Sequence, residues 1–213
     1  DRPTPDFLED YAFLIEAHLS LYALEFDESQ LLRARELAFT AIDRFYDDRK
    51  GIFYFVSHES TELIARPVEL ADNVIPSSNA VMAENLILLS VYFGNSRFEE
   101  IAMRLVHGVS GAIEQQGESY ARWAGLYLRL ALGNPELVVA GPEAKEMTAS
   151  MQGLFIPSVT RAAATTQSRL QPLENRLGQK QTQLYICRHR SCSRPAHTVA
   201  EAVEELRLIY NRL

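Results

Sequence analysis

Two polar clusters sit where long apolar-periodic segments begin. Glu9, Asp10 and Tyr11 open LEDYAFLIEAHLSLYALEFD (residues 8–27), while Arg66, Asp72, Ser77 and Asn79 lead into IPSSNAVMAENLILLSVYFGN (residues 75–95). Two carboxylates held near each other can divide acid and base work, one protonated and one ionised, and glycoside chemistry uses such pairs within about 10 Å. Asp10 with Asp72 is the pair that would carry it, and Glu9, Tyr11, Arg66, Ser77 and Asn79 would bind the substrate. Each has an ordinary structural role open to it as well. Asp10 can cap a helix, Asp72 can pair with Arg66, and Asn79 can hydrogen-bond a loop.

Other reactive side chains carry weaker patterns. His18, His58 and His107 could move protons beside a sugar carbonyl, but His18 and His107 fall mid-helix, where packing or solvent exposure is the commoner role. Tyr120, Trp123 and Tyr127 form an aromatic row at helical spacing, suited to a core or to stacking on a pyranose ring. Cys187 and Cys192 stand five apart in LYICRHRSCSRP. The spacing is not the Cys-x-x-Cys of redox motifs, and two thiols beside His189 and His197 fall short of the four coordinated ligands of structural zinc. A local disulfide and a pair of reduced, packed thiols both fit, and thiol redox is a minor third reading. No metal and no cofactor is expected.

The elements that position these residues are mostly helices. Leu8, Tyr11, Ala12, Ile15, Leu19 and Tyr22 repeat at three- and four-residue steps, and Leu31, Ala34, Ala38, Ala41 and Phe45 do the same behind the capping residues Asp27 and Ser29. Both openings read as strongly amphipathic helices. After the turn Asp47–Gly51, Ile52–Val56 is β-branched and aromatic and is matched by Leu63-Ile64-Ala65, which predicts a small hairpin inserted near residues 52–65. Helices follow over 80–93, 96–113 and 119–132, ending at Gly133-Asn134-Pro135. Helices joined by such short links are antiparallel neighbours, so residues 1–134 read as stacked helical hairpins.

Beyond Pro135 the period changes. Glu136–Ala140 reads as a buried strand, Gly141-Pro142 as the start of a helix to about residue 152, and Leu154–Val159 as a second strand. A third strand over 183–187 and a final helix over 198–213, with Val199, Val203, Leu206 and Tyr210 as its packing stripe, complete a small α/β module of three strands and two helices over residues 135–213. The fold class is therefore mainly α with a small α/β module.

Composition narrows the class further. The chain has 213 residues, 47% hydrophobic and 23% charged, the profile of a globular protein. Its net charge of −7 is uneven: residues 1–150 hold 12 Lys/Arg against 24 Asp/Glu, and residues 151–213 hold 9 against 4. An acidic main part argues against nucleic acid as a partner, since phosphate binding needs concentrated basic surface. No apolar run reaches the roughly 20 residues that span a bilayer, so no membrane partner and a cytoplasmic location are expected.

Four ordered blocks, LEDYAFLIEAHLSLYALEFD, ARPVELADNVIPSSNAVMAENLILL, ELVVAG and YICRHRSCSRPAHTVAEAVEEL, resemble the C-terminal half of the thioredoxin-domain-containing proteins related to the spermatogenesis-associated thioredoxin-like protein and its bacterial relatives. The resemblance covers essentially the whole chain. It implies a fragment of an (α/α)6 toroid of the six-hairpin glycosidase kind, similar to N-acylglucosamine 2-epimerase barrels, preceded in the longer protein by a thioredoxin-like domain. The helices counted here make only part of such a ring, so its open edge would be covered by that missing sequence or by a second copy. The family motif runs Arg-x-Lys, Asp-Gly-Ala and Pro-Ser-Gly-Asn-Ser. This chain has Arg66-Pro67-Val68, Asp72-Asn73-Val74 and Pro76-Ser77-Ser78-Asn79-Ala80 at those places. Two functions follow as expectations. One is a toroid that binds or processes a carbohydrate-like small molecule, with isomerase, epimerase or glycosidase chemistry if it is an enzyme. The other is a non-catalytic helical interaction domain tethered to a thioredoxin-like domain.

Overall fold

A computed structural model describes residues 6–59, 65–189 and 191–210. Helix α1 (Leu8–Glu25) buries Leu8, Ala12, Ile15, Leu19 and Tyr22, the stripe its period demands. Phe26, at φ +55°, breaks the helix, and the Asp27 carboxylate accepts the Ser29 amide at 3.0 Å to start α2 (Glu28–Phe45). Helix α2 buries Leu31, Ala34, Ala38, Ala41 and Phe45, and its three alanines are small enough to let a neighbouring helix approach.

A short hairpin forms around the turn ahead of Ile52. Strand β1 (Tyr46–Asp47) pairs antiparallel with β2 (Ile52–Phe53), in the register Tyr46 to Phe53 and Asp47 to Ile52. The Asp47 carboxylate accepts the amides of Arg49 and Lys50, and Gly51, at φ +68°, lets the turn close. Local turn chemistry thus brings Ile52 back to the end of α2. The other expected arm, Leu63-Ile64, lies outside the described residues.

Ser77 caps α3 (Ser78–Phe93) by accepting the Ala80 amide, and Gly94 ends it in the left-handed conformation at φ +63°. This helix is not amphipathic as expected: Ser78, Asn79, Ala80, Val81, Met82, Ala83, Asn85, Leu86, Ile87, Leu89 and Tyr92 are all buried, leaving almost no wet face. A helix apolar on all sides belongs at the centre of its unit. It packs chiefly on α4 (Ser96–Gln115), capped by Asn95 and buried through Phe98, Ile101, Ala102, Leu105, Val106 and Val109. One 3-10 turn, Gly117–Tyr120, leads into α5 (Ala121–Ala131).

The chain then builds a sheet. Strands β3 (Glu136–Ala140), β4 (Thr160–Ala164), β5 (Gln183–Arg188) and β6 (Ser191–Cys192) lie in the order β4-β3-β5-β6. Strand β3 runs parallel to β4, across helix α6 (Ala144–Ser150), and antiparallel to β5. Two expectations change here. The second strand is Thr160–Ala164, not Leu154–Val159, where Pro157 cannot donate to a ladder and Ser158 sits at φ +55°. A fourth, two-residue strand, Ser191–Cys192, joins the three expected ones. Helix α7 (Val199–Tyr210) buries Ala202, Leu206 and Ile209, shifting the packing stripe from the Val199–Val203 edge, which is only half-buried.

The protein is mainly helical with an α/β part. It divides into two compact units, Asp1–Tyr22 with Asp27–Leu126, and Ala23–Phe26 with Tyr127–Leu213, so the chain changes unit within α5. The second unit has its own core of Leu137, Val139, Leu184, Ile186, Leu206 and their neighbours.

Candidate functional site

The segment from Arg66 to Ser77 runs without regular structure into α3, and hydrogen bonds hold it at nearly every step. The Phe55 amide donates to the Pro67 carbonyl at 2.8 Å, the Trp123 indole N–H to the Leu70 carbonyl at 2.8 Å, and the Asp72 amide to the Ser119 carbonyl at 2.7 Å. Four of the expected site residues do this holding. Both carboxylate oxygens of Asp72 accept backbone amides, Oδ1 from Ser77 at 2.9 Å and Oδ2 from Arg122 at 2.8 Å. Ser77 Oγ donates to the Glu69 carbonyl while it caps α3. Buried Asn79 accepts the Phe53 amide at 2.9 Å through Oδ1 and donates Nδ2 to the carbonyls of Phe53 and Glu69, so its side chain acts as one more strand beside β2. Arg66 donates Nε and Nη2 to the Val56 carbonyl and stacks over the Tyr54 ring; its burial lowers the guanidinium pKa.

Arg66 therefore holds backbone carbonyls where a pairing with Asp72 was open. Tyr11 is linked to the same region through Arg44, whose Nη1 donates to the Tyr11 hydroxyl at 3.2 Å; Arg44 also pairs with Glu59 at 2.6 Å and with Asp6.

Glu9 and Asp10 stand differently. They lie in the first turn of α1, Glu9 half-buried and Asp10 exposed. Burial is the main cause that raises the Glu9 pKa above the ordinary glutamate value, followed by the charges of Glu69 and then Asp10. Glu69 lies in the loop before α3, and its Oε2 accepts the Ser78 hydroxyl at 3.4 Å. Ser78 occupies the place where the motif this chain resembles has glycine. The structure thus brings Glu9, Asp10 and Glu69 into one electrostatic cluster between the first turn of α1 and the loop before α3, while both carboxylate oxygens of Asp72 are taken by backbone amides.

A second carboxylate group lies further along α1. Arg122 Nη2 pairs with Glu16 of α1 and, at 2.8 Å, with Glu84 of α3, while the Arg122 main-chain amide is held by Asp72. Glu16 is seven residues after Glu9, two helical turns on the same face, a spacing visible in the sequence. Glu69, Glu84 and Arg122 gave no such signal, because only the fold brings their segments together.

The remaining candidates have structural settings. His18 Nδ1 lies 2.7 Å from Gln30 Oε1, His58 Nδ1 lies 3.0 Å from the Arg44 carbonyl, and His107 is exposed on α4. Trp123 is fully buried with its N–H engaged, so it is core and not a stacking platform. Cys187 and Cys192 form a disulfide across the β5–β6 pair. Among the described residues no group of three or more His, Cys, Asp and Glu could hold a metal ion, and no helix is long and apolar enough to cross a membrane.

No protein-family model matches the chain. Among curated proteins it is similar to an uncharacterized protein of Caenorhabditis elegans, 23% identical over 215 residues that cover 97% of this chain and 28% of the relative. It is also similar to the spermatogenesis-associated protein 20 of Mus musculus, 26% identical over 205 residues, and of Homo sapiens, 27% identical over 207 residues, each alignment covering 91% of this chain and 26% of the relative. The chain therefore spans about a quarter of the length of the curated relatives it matches, and its homologues over most of its length include proteins named spermatogenesis-associated protein 20.

Proposed function

We propose that the helical unit is part of an (α/α) toroid in a longer, thioredoxin-domain-containing protein. In this reading Glu9 and Glu69 line the toroid mouth and bind a hydroxyl-rich, carbohydrate-like molecule. The observation that carries it is the Glu9–Glu69 cluster itself: a half-buried carboxyl in the first turn of α1, its pKa raised by burial and by the charge of a second carboxylate in the loop that leads into α3. Two neighbouring carboxyls can accept hydrogen bonds from the hydroxyls of a ligand, and carboxyl pairs serve acid and base work in epimerase or glycosidase chemistry. Asp10 supplies a third, exposed acceptor. Asp72, Ser77, Asn79 and Arg66 act as the frame that fixes the loop bearing Glu69.

The test is saturation-transfer NMR of the chain against a panel of mono- and disaccharides, with Glu9→Gln and Glu69→Gln as variants. Binding by the wild type and at least a ten-fold loss in either variant, at unchanged melting temperature, is the expected result. A panel with no binder, or variants that bind as the wild type does, overturns the reading. The second reading, a helical interaction domain, is favoured by the exposure of Leu14 and Leu21, 48% and 40%, one above the other on α1.

A further inference from the structure

The disulfide of the second unit has a charged companion that a purely structural bridge does not need. Arg176 points its guanidinium at both sulfurs, Nη1 donating to Cys187 Sγ at 3.5 Å and Nη2 to Cys192 Sγ at 3.0 Å. The guanidinium is positioned from the other side by the Tyr185 ring, 4.6 Å from its centroid. Cys187 is buried and Cys192 is exposed, so one sulfur is open to attack and the other is sheltered. Cys187 lies directly across from Glu136 in the β3–β5 register, which puts the two side chains on one face of the sheet. Burial raises the Glu136 carboxyl pKa, against the lowering effect of the Arg176 charge.

From this geometry we propose that Cys187–Cys192 is a thiol–disulfide exchange site for low-molecular-mass thiols, with Arg176 as the residue that stabilises its thiolates. A neutral disulfide is a poor hydrogen-bond acceptor and a thiolate is a strong one, so a guanidinium spanning both sulfurs favours the reduced pair over the bridge. In the first step an external thiolate attacks the exposed Cys192 Sγ. The new bond joins the external sulfur to Cys192, the Cys187–Cys192 bond breaks, and its electron pair leaves on Cys187 beside Arg176 Nη1. A second external thiolate then attacks the external sulfur of the mixed disulfide and expels Cys192 as a thiolate beside Arg176 Nη2. Two external thiols are oxidised to one disulfide, two electrons reduce the protein pair, and the two thiol protons pass to the cysteines or to solvent. This site is independent of the carboxylate cluster and stands or falls separately from the function proposed for it.

The experiment equilibrates the full chain in buffers of reduced and oxidised glutathione over a range of ratios. Samples are quenched in acid, and free thiols are counted by maleimide mass shift, with circular dichroism on each sample. Both cysteines should open together within the glutathione range in a folded chain, and Arg176→Gln should move the balance at least ten-fold toward the disulfide, Arg176→Lys less. A bridge that stays closed at the most reducing ratio until guanidinium unfolds the chain overturns the proposal, as does an Arg176→Gln curve that superimposes on the wild type. If Arg176→Gln fails to fold, Cys187→Ser gives the decision: iodoacetamide alkylation against pH should place the Cys192 thiol below the ordinary value of about 8.5, and a value at or above it rejects the role of Arg176.

Discussion

Asn79 makes three hydrogen bonds with one side chain, and none of them faces solvent. Its position before an apolar helix is legible as polar and special in the sequence, but the choice between ligand and scaffold is not, because the partner backbone at Phe53 lies 26 residues away. The same limit applies to Asp72, whose two accepted amides come from Ser77 nearby and from Arg122 fifty residues on. Local spacing reveals that a residue is unusual; only the path of the chain reveals what it touches. Asn79→Ala would leave the amide and carbonyl of Phe53 buried without the side-chain partner, at a cost of about 1–3 kcal/mol for each unmet group. Chemical denaturation should therefore give a midpoint well below the wild type, while Asp10→Asn, on an exposed first turn, should leave it nearly unchanged. Equal midpoints for Asn79→Ala and wild type would remove the framework role assigned here.

At the scale of elements, helices are more legible in this sequence than strands. Apolar residues at three- and four-residue steps fix a helix whatever it packs against, so α1, α2 and α4 appear at the expected places and the fit fails mainly at the ends. Strand β4, TRAAA, has one β-branched residue, Thr160, and no aromatic, too weak a mark for a strand, and its pairing comes from the parallel neighbour β3. Hairpin β1–β2 has its turn chemistry in the sequence, and the end of α2 supplies the strand that Ile52 joins. The end of β3 offers a sharp test of this sheet. Gly141 sits at φ +137°, and a Cβ there would lie 2.6 Å from the Thr182 Cα, a backbone atom just before β5. Neither the dihedral nor the space admits a side chain, so Gly141→Ala should destabilise the second unit by more than the roughly 1 kcal/mol that glycine replacement in a left-handed turn costs by itself. Hydrogen exchange should locate the loss, with faster exchange in 136–140 and 183–188 and little change in α3. Uniform protection throughout would mean that the turn adjusts and that the close approach of Gly141 to Thr182 is not needed.

The molecule as a whole carries the question of what α1 faces. Leu8, Ala12, Ile15, Leu19 and Tyr22 are spent on the core, yet Leu14 and Leu21 stand two turns apart on the same helix and remain 48% and 40% exposed. Single exposed leucines are common on globular proteins, and the spaced pair on one helix is the observation behind the second reading, a helical interaction domain. The sequence marked both leucines as apolar but assigned them to no stripe, since they fall outside the main period. A partner that buries both side chains would remove roughly 1.5–3 kcal/mol of exposed apolar surface for each. Leu14→Glu with Leu21→Glu should thus leave the melting temperature of the isolated chain almost unchanged, because neither residue is in its core. The double variant should lower the chain's tendency to self-associate in sedimentation velocity. A double variant that melts far below the wild type would place the leucines in the core of this unit, and a wild-type chain that stays monomeric and excludes apolar dyes at high concentration would show that α1 needs no cover.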